Sequence, residues 1–279
     1  MAQKKTTLEY TKPKVTIETI TPAVAQKWLA TQVKNRNVRS KTKVPMFARD
    51  MATGRWEMNG ESIKFDADGH LIDGQHRLLA VIASGVSVPS VVARGLNGRS
   101  QETVDTGTAR TAGDAIGLTG RAYRNEIAAT AQLVMAYTEG QFKSLGGADR
   151  KLRGRYTHSE IVEFIEAHPD VVDVVHTYME NNWRRVRAAP SGVMFAFWAC
   201  SRKNKAQAVK FFNDIADLNV AGKGDPKAAL IRRFQGIKES GERASSVDVA
   251  DYIFRAWNAE REGRALTKIA SQSVFTEPK

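Results

Sequence analysis

The chain has one cysteine, Cys200, in 279 residues, so no disulfide can close within it and no Cys-x-x-Cys pair exists for redox or zinc chemistry. Cys200 ends the run Phe195-Ala196-Phe197-Trp198-Ala199-Cys200. That apolar setting suits a buried structural thiol better than a nucleophile. No apolar run approaches the ~18–20 residues needed to span a bilayer, and nothing resembles a secretory leader. These absences argue against a membrane-inserted protein, and cytoplasmic residence is the expectation. A Walker A loop, a Gly-x-Ser-x-Gly elbow and a His-Glu-x-x-His pair are all missing. His158, His168 and His176 fall at no ligand spacing and read as capping or surface residues. Acidic residues are scarce at the start: up to Arg49 there are two, Glu9 and Glu18, against eleven Lys and Arg.

That imbalance supplies most of the formal net charge of +12. With a sequence pI near 9.8, it points to a polyanionic partner, nucleic acid before anionic membrane. The candidate phosphate-tracking cations are Lys4, Lys5, Lys12, Lys14, Lys41 and Lys43. A second group, Arg150, Lys151 and Arg153, lies in a Gly-containing loop over residues 141–154. Apolar residues make up 42% of the chain, enough for a real core, and the length suits one large domain or two ordinary ones.

Residues 1–14 have no period and read as a basic, disordered tail. Val15, Ile17 and Ile20 begin a strand. Thr21 then caps a helix that Pro22 opens and that runs through Leu29. A second helix is expected over Val44–Met51. Trp56 and Met58 alternate with polar neighbours ahead of Asn59-Gly60, and Ser62–Phe65 alternates again before a turn at 66–69. The pattern predicts two successive hairpins, with Glu61 either near a site or solvated on an edge. Val86–Arg94 reads as a buried strand. Beyond residue 112 the periods are helical: 123–137, a capping box at Thr157-x-x-Glu160, then 169–178, 194–199, 206–218, 226–237 and 245–260. The expected fold class is therefore α+β, with a small mixed-sheet domain over 15–111 and an all-α domain over 112–279. Residues 157–179 have the size of a helix-turn-helix, as do many helical hairpins.

The stretch around which the first domain is organised is Gly69-His70-Leu71-Ile72-Asp73-Gly74-Gln75-His76-Arg77-Leu78-Leu79-Ala80. It reads as strand, tight turn and helix. Asp73 is expected at the N-cap, the pairs Leu78/Ile82 and Leu79/Ala83 on the apolar face, and Gly85 at the stop. A helix start carries unpaired N–H groups and the positive end of the dipole, so it attracts anions. Gln75, His76 and Arg77 add side-chain donors there, and the guanidinium is a planar fork suited to phosphate. The same residues are equally compatible with a capped turn bearing a solvated Arg and a packed His.

The segment Asp73–Ala80 resembles the signature of the ParB/sulfiredoxin superfamily, in which a Gly-x-x-Arg-x-x-Ala or Asp-Gly-x-His-Arg segment at a helix start contacts nucleotide phosphates. Gly74, Arg77 and Ala80 match the ParB form and His76-Arg77 the sulfiredoxin form. Gln75 stands where sulfiredoxin chemistry needs a cysteine, which argues against sulfinic-acid reduction. The variant is most similar to phage and prophage ParB-like nuclease-domain proteins, and the likeness spans roughly residues 15–110. It implies a ParB/sulfiredoxin-like nucleotide-binding domain holding a nucleotide triphosphate, ATP or CTP, with magnesium. Asn35 and Arg36 would reach the same nucleotide as Gly74, Gln75, His76 and Arg77. The later element Asp105-Thr106-Gly107-Thr108-Ala109-Arg110 would add Thr106 and Arg110 as nucleotide contacts and Asp105 as an oxygen ligand to the metal. Without the resemblance, that element reads as an ordinary polar linker.

The functional expectation is a DNA-associated nucleotide-binding protein of phage DNA metabolism, hydrolysing a triphosphate or transferring its phosphoryl group. Asp73, His76 and Arg77 would be the reacting residues: Arg77 and the helix start hold phosphate oxygens, His76 donates to one, and Asp73 holds the metal or orients an acceptor hydroxyl. The alternatives are a non-enzymatic DNA-binding or regulatory protein and a metal-dependent nuclease. DNA and nucleotide are the expected partners, membrane is not, and oligomerisation is open.

Overall fold

A computed structural model describes residues 12–32, 43–97, 111–117, 120–142, 152, 155–186 and 188–279. The chain divides into two compact units, Met1–Ala109 and Arg110–Lys279. The architecture is α+β: a small mixed sheet with helices in the first unit and, among the described residues, an essentially helical second unit.

In the first unit the order is β1 (Lys14–Ile20), α1 (Pro22–Leu29), α2 (Lys43–Ala52), β2 (Ser62–Asp66), β3 (Leu71–Asp73), α3 (Gln75–Ser84) and β4 (Val88–Leu96). The sheet runs β1-β4-β2-β3. β1 with β4 and β2 with β3 are antiparallel, whereas β2 with β4 is parallel, the strand–helix–strand connection of α3 lying between them. Thr21 caps α1 by accepting from Val24 N at 3.2 Å, with Pro22 in the first turn. One face of the sheet buries Ile20, Ile63, Phe65, Leu71 and Val92 together with Ala25, Met51, Leu78 and Val81 from the three helices.

Only the second of the two expected hairpins forms. Residues 55–59 are irregular: Arg55 N and Trp56 N both donate to Asp50 O, at 2.9 and 3.1 Å, folding the chain back on the end of α2. Trp56 packs edge-on to Phe47, centroids 5.2 Å apart, so its alternating pattern serves a helix contact and not a strand. β2 and β3 do pair, across the turn at 66–69, where Asp66 Oδ1 accepts from Asp68 N at 3.0 Å and His70 N at 2.8 Å. Glu61 is exposed.

The second unit contains α4 (Ala112–Gly117), α5 (Arg124–Thr138), α6 (His158–Ala167), α7 (Pro169–Glu180), a 3₁₀ turn (Asn182–Arg185), α8 (Pro190–Ser201), α9 (Lys205–Ala216), α10 (Pro226–Ser240) and α11 (Ser246–Arg261). α8 is buried almost all round, as its unbroken apolar sequence requires. A Cβ at Gly192 would come 2.4 Å from Ser246 O, so the missing side chain lets α8 approach the start of α11 closely. The predicted capping box on α6 is present, with Glu160 N donating to Thr157 Oγ1 at 3.1 Å and Thr157 N to Glu160 Oε2 at 2.8 Å. Cys200 is fully buried, and burial pushes its thiol pKa well up. No described helix is long and apolar enough to cross a membrane.

Candidate functional site

The β3–α3 junction differs from expectation at its first residue. The N-cap of α3 is Gly74, with φ +107° and no side-chain cap, while Asp73 ends β3. A tight strand-to-helix turn needs this left-handed position, and a Cβ at Gly74 would lie 3.1–3.2 Å from three atoms of Ile63 on β2. Glycine alone meets both demands. The buried face of α3 is Gln75, Leu78, Ala80 and Val81, whereas Ile82 is 38% exposed and Ala83 is exposed. Its register is rotated from the predicted Leu78/Ile82 stripe because Gln75 turns inward and donates to Gln32 Oε1 at 2.7 Å, tying α3 to the end of α1.

Asp73 is the hub of the junction. Its Oδ1 accepts from Gly74 N at 2.7 Å, and its Oδ2 accepts from Lys64 Nζ at 2.8 Å. Lys64 and Asp73 face each other in the β2–β3 register, so the pair is set by strand pairing. Arg77 Nη2 stands 3.6 Å from the same Oδ2, near enough for attraction but too long for a hydrogen bond. The Arg77 side chain is only 14% exposed, and its Nη1 is buried with no hydrogen-bond partner among the described residues. Leu78 N makes the first intrahelical bond, to Gly74 O at 3.0 Å. The amides of residues 75–77 therefore have no acceptor within the helix. His76 lies half-buried in that first turn.

Of the residues read from the motif, Asp73, Gly74 and Arg77 converge, joined by Lys64, which lies outside the motif. Gln75 is committed to Gln32. One Asp73 oxygen holds the Gly74 amide and the other faces two cations. The carboxylate positions Lys64 and Arg77. Lys12 and Lys14, at the start of β1, and Lys43, at the start of α2, are exposed. Lys4, Lys5, Asn35, Arg36, Lys41, Asp105, Thr106, Arg110, Arg150, Lys151 and Arg153 lie outside the described residues.

Two neighbouring features were not anticipated. Asp66, Asp68 and His70 bring three potential ligand atoms within 4.8 Å of one another at the β2–β3 turn. Burial pushes the Asp66 pKa up, but the His70 backbone and ring hydrogen bonds outweigh it and hold the carboxyl below its usual range. The Asp-x-Asp-x-His spacing was the available signal. Nearby, Arg94 donates to Glu18 through Nη1 and Nη2 and lies over Trp28 and Phe65, 5.2 and 5.3 Å from the ring centroids. A cleft of about 350 Å³ opens between Trp28, Phe65, Asp66 and Arg94.

A larger cleft, of about 970 Å³, lies in the helical unit, lined by apolar Val186, Ile215, Leu218, Ile231 and Phe234 and by charged Arg184, Arg185, Asp217, Lys238 and Glu239. The α6–α7 pair does not suit DNA reading. His168 alone separates the helices, and from residue 157 to 180 there are six carboxylates and no Lys or Arg. No protein-family model, curated protein or solved structure matches the chain.

Proposed function

We propose that the first unit binds a phosphate group of a nucleotide at the start of α3, and that the protein is a DNA-associated nucleotide-binding protein. The observation that carries this reading is Arg77: a guanidinium nearly out of solvent, with Nη1 unpartnered among the described residues, beside a helix N-terminus. Burying such a donor without an acceptor costs about 1–3 kcal/mol or more, a cost that an anion seated there removes. Phosphate oxygens would take Nη1 at the positive end of the helix, with Lys64 neutralising Asp73 from β2. The resemblance of Asp73–Ala80 to the ParB/sulfiredoxin superfamily supports a nucleotide, ATP or CTP, over inorganic phosphate. The concentration of Lys and Arg before residue 50 supports DNA as the larger partner.

The reading is one of binding: Asp73 already accepts from Lys64 and Gly74, an arrangement that supports a role in positioning the cations around the phosphate. Calorimetric titration with the four ribonucleotide triphosphates, with and without magnesium, tests the reading. Replacing Arg77 by Ala should weaken binding at least about 10-fold, equivalent to about 1.4 kcal/mol, with the fold intact by circular dichroism. Absence of binding by any of the four, or equal affinity in a folded Arg77→Ala variant, refutes it. Triphosphate hydrolysis that Asp73→Asn abolishes would instead establish the catalytic reading.

A further inference from the structure

β1 is an edge strand. All seven of its residues pair with β4 on one side, and no strand pairs with its outer edge among the described residues. Pro13 and Lys14 blunt only its start; beyond them Val15 and Ile17 are 61% and 66% exposed, the most exposed large apolar residues described in this unit. A row of free backbone groups flanked by exposed β-branched side chains is a template for another strand. We infer that the outer edge of β1 pairs antiparallel with the same edge of a second copy of this chain, centred on Thr16, joining the two four-stranded sheets across a two-fold axis. This goes beyond the nucleotide reading and does not depend on it.

The charge pattern selects both the occupant and the register. In the β1–β4 ladder Lys14 lies directly opposite Arg94, a like-charge pair that destabilises unless compensated. Arg94 is held by Glu18 of its own chain through two guanidinium nitrogens, whereas Lys14 feels that carboxylate only at longer range and makes no salt bridge among the described residues. A two-fold axis normal to the sheet through Thr16 brings Lys14 opposite Glu18 of the second copy, twice by symmetry. The same register sets Val15 against Ile17 on the other face, covering both exposed side chains. Shifting the axis to Ile17 puts Lys14 opposite Ile20 and Thr16 opposite Glu18, losing the charge match. Shifting it to Val15 keeps a charge match, Lys12 opposite Glu18, but puts Pro13, which has no N–H, inside the ladder opposite Ile17. Only the Thr16 register joins a charge match to the Val15–Ile17 apolar match with Pro13 outside the opposed pairs.

Disulfide trapping of the full-length chain tests this, since the one native thiol is buried. Three variants are made: Val15→Cys, Thr16→Cys and Ile17→Cys. Opposed pairs alternate between a closer, non-hydrogen-bonded type and a wider one. Under mild oxidation, therefore, Thr16→Cys alone, or the mixture of Val15→Cys with Ile17→Cys, or both, should give a covalent dimer. Val15→Cys alone and Ile17→Cys alone should give no more than the wild type. In sedimentation velocity the wild type should dimerise with rising concentration. Lys14→Glu, which sets a carboxylate against Glu18 of the second copy, should lower the dimer fraction several-fold. A wild type that stays monomeric overturns the inference. So does crosslinking no more frequent in the matched pairs than in Ile17→Cys alone, or a dimer fraction that Lys14→Glu leaves unchanged.

Discussion

Replacing Gly74 with alanine should destabilise the first unit far more than the same change at Gly69, in the hairpin turn just before it. At Gly74 two costs add. The backbone sits at φ +107°, where an L side chain is strained by about 1–2 kcal/mol. The new methyl would also meet Ile63 Cγ1 at 3.1 Å and Ile63 Cα and Cγ2 at 3.2 Å. A side-chain neighbour could rotate away, but the Cα belongs to β2, which is paired on both sides with β3 and β4. Overpacking of this kind costs about 1–3 kcal/mol, giving a total of about 2–5 kcal/mol. Gly69 has φ +83° and nothing within 4 Å of its virtual Cβ, so only the backbone cost of about 1–2 kcal/mol applies there. Urea titration with hydrogen-exchange mass spectrometry on peptides spanning residues 62–84 reads this unit apart from the helical one. If the two variants lose stability equally, the close approach of α3 to β2 is not what fixes glycine at 74.

Asp251 on α11 is fully buried, and burial raises its pKa against the opposing hydrogen bonds from Thr276 N and Gln272 and the nearby Arg255. A raised carboxyl favours folding below its unfolded pKa and loses that contribution as pH rises through the folded value. Asp251→Asn should therefore gain on the wild type between acidic and neutral pH, by about 1.4 kcal/mol for each tenfold difference in proton affinity between the folded and unfolded chain; a pH-independent difference in urea midpoint would refute the assignment. Thr157→Ala removes half of the capping box on α6 and should cost about 1 kcal/mol, read as a lowered melting temperature, whereas an unchanged one would show that the Glu160 side chain suffices.

Much of the architecture was legible because it rests on local chemistry. Thr21-Pro22, Thr157-x-x-Glu160 and the Pro169 and Pro226 starts act within one helical turn, and each helix begins where those residues indicate. What failed depended on partners distant in sequence. The alternation at Trp56 and Met58 matches a strand, but Asp50 O and the Phe47 ring capture that segment. The phase of α3 departs from its apolar pattern because Gln75, polar and so expected outward, is drawn inward by Gln32 forty-three residues away. At the site, Asp-Gly correctly marked a tight turn, but the cap fell on the glycine. Lys64 was invisible to a motif reading because only the β2–β3 register brings it opposite Asp73.

Lys64 also explains how an acidic residue can stand at the proposed anion site. Two unit charges 4 Å apart interact by about 4 kcal/mol at an effective dielectric of 20, so a bare Asp73 carboxylate would oppose any anion approaching Arg77. Asp73 is nevertheless useful there. Its Oδ1 holds the Gly74 amide, which keeps the left-handed turn in place, and its Oδ2 draws Lys64 and Arg77 to one point. The Lys64 charge cancels that of the carboxylate at 2.8 Å and leaves the guanidinium and the helix start as the uncompensated positive charge. Arg77 stays 3.6 Å from Asp73, outside hydrogen-bond range, so its donors are not consumed by the residue that orients it. A shorter Asp73–Arg77 contact would have made a closed structural ion pair. The longer one, with the carboxylate neutralised from the sheet, leaves a cation that is positioned but not satisfied.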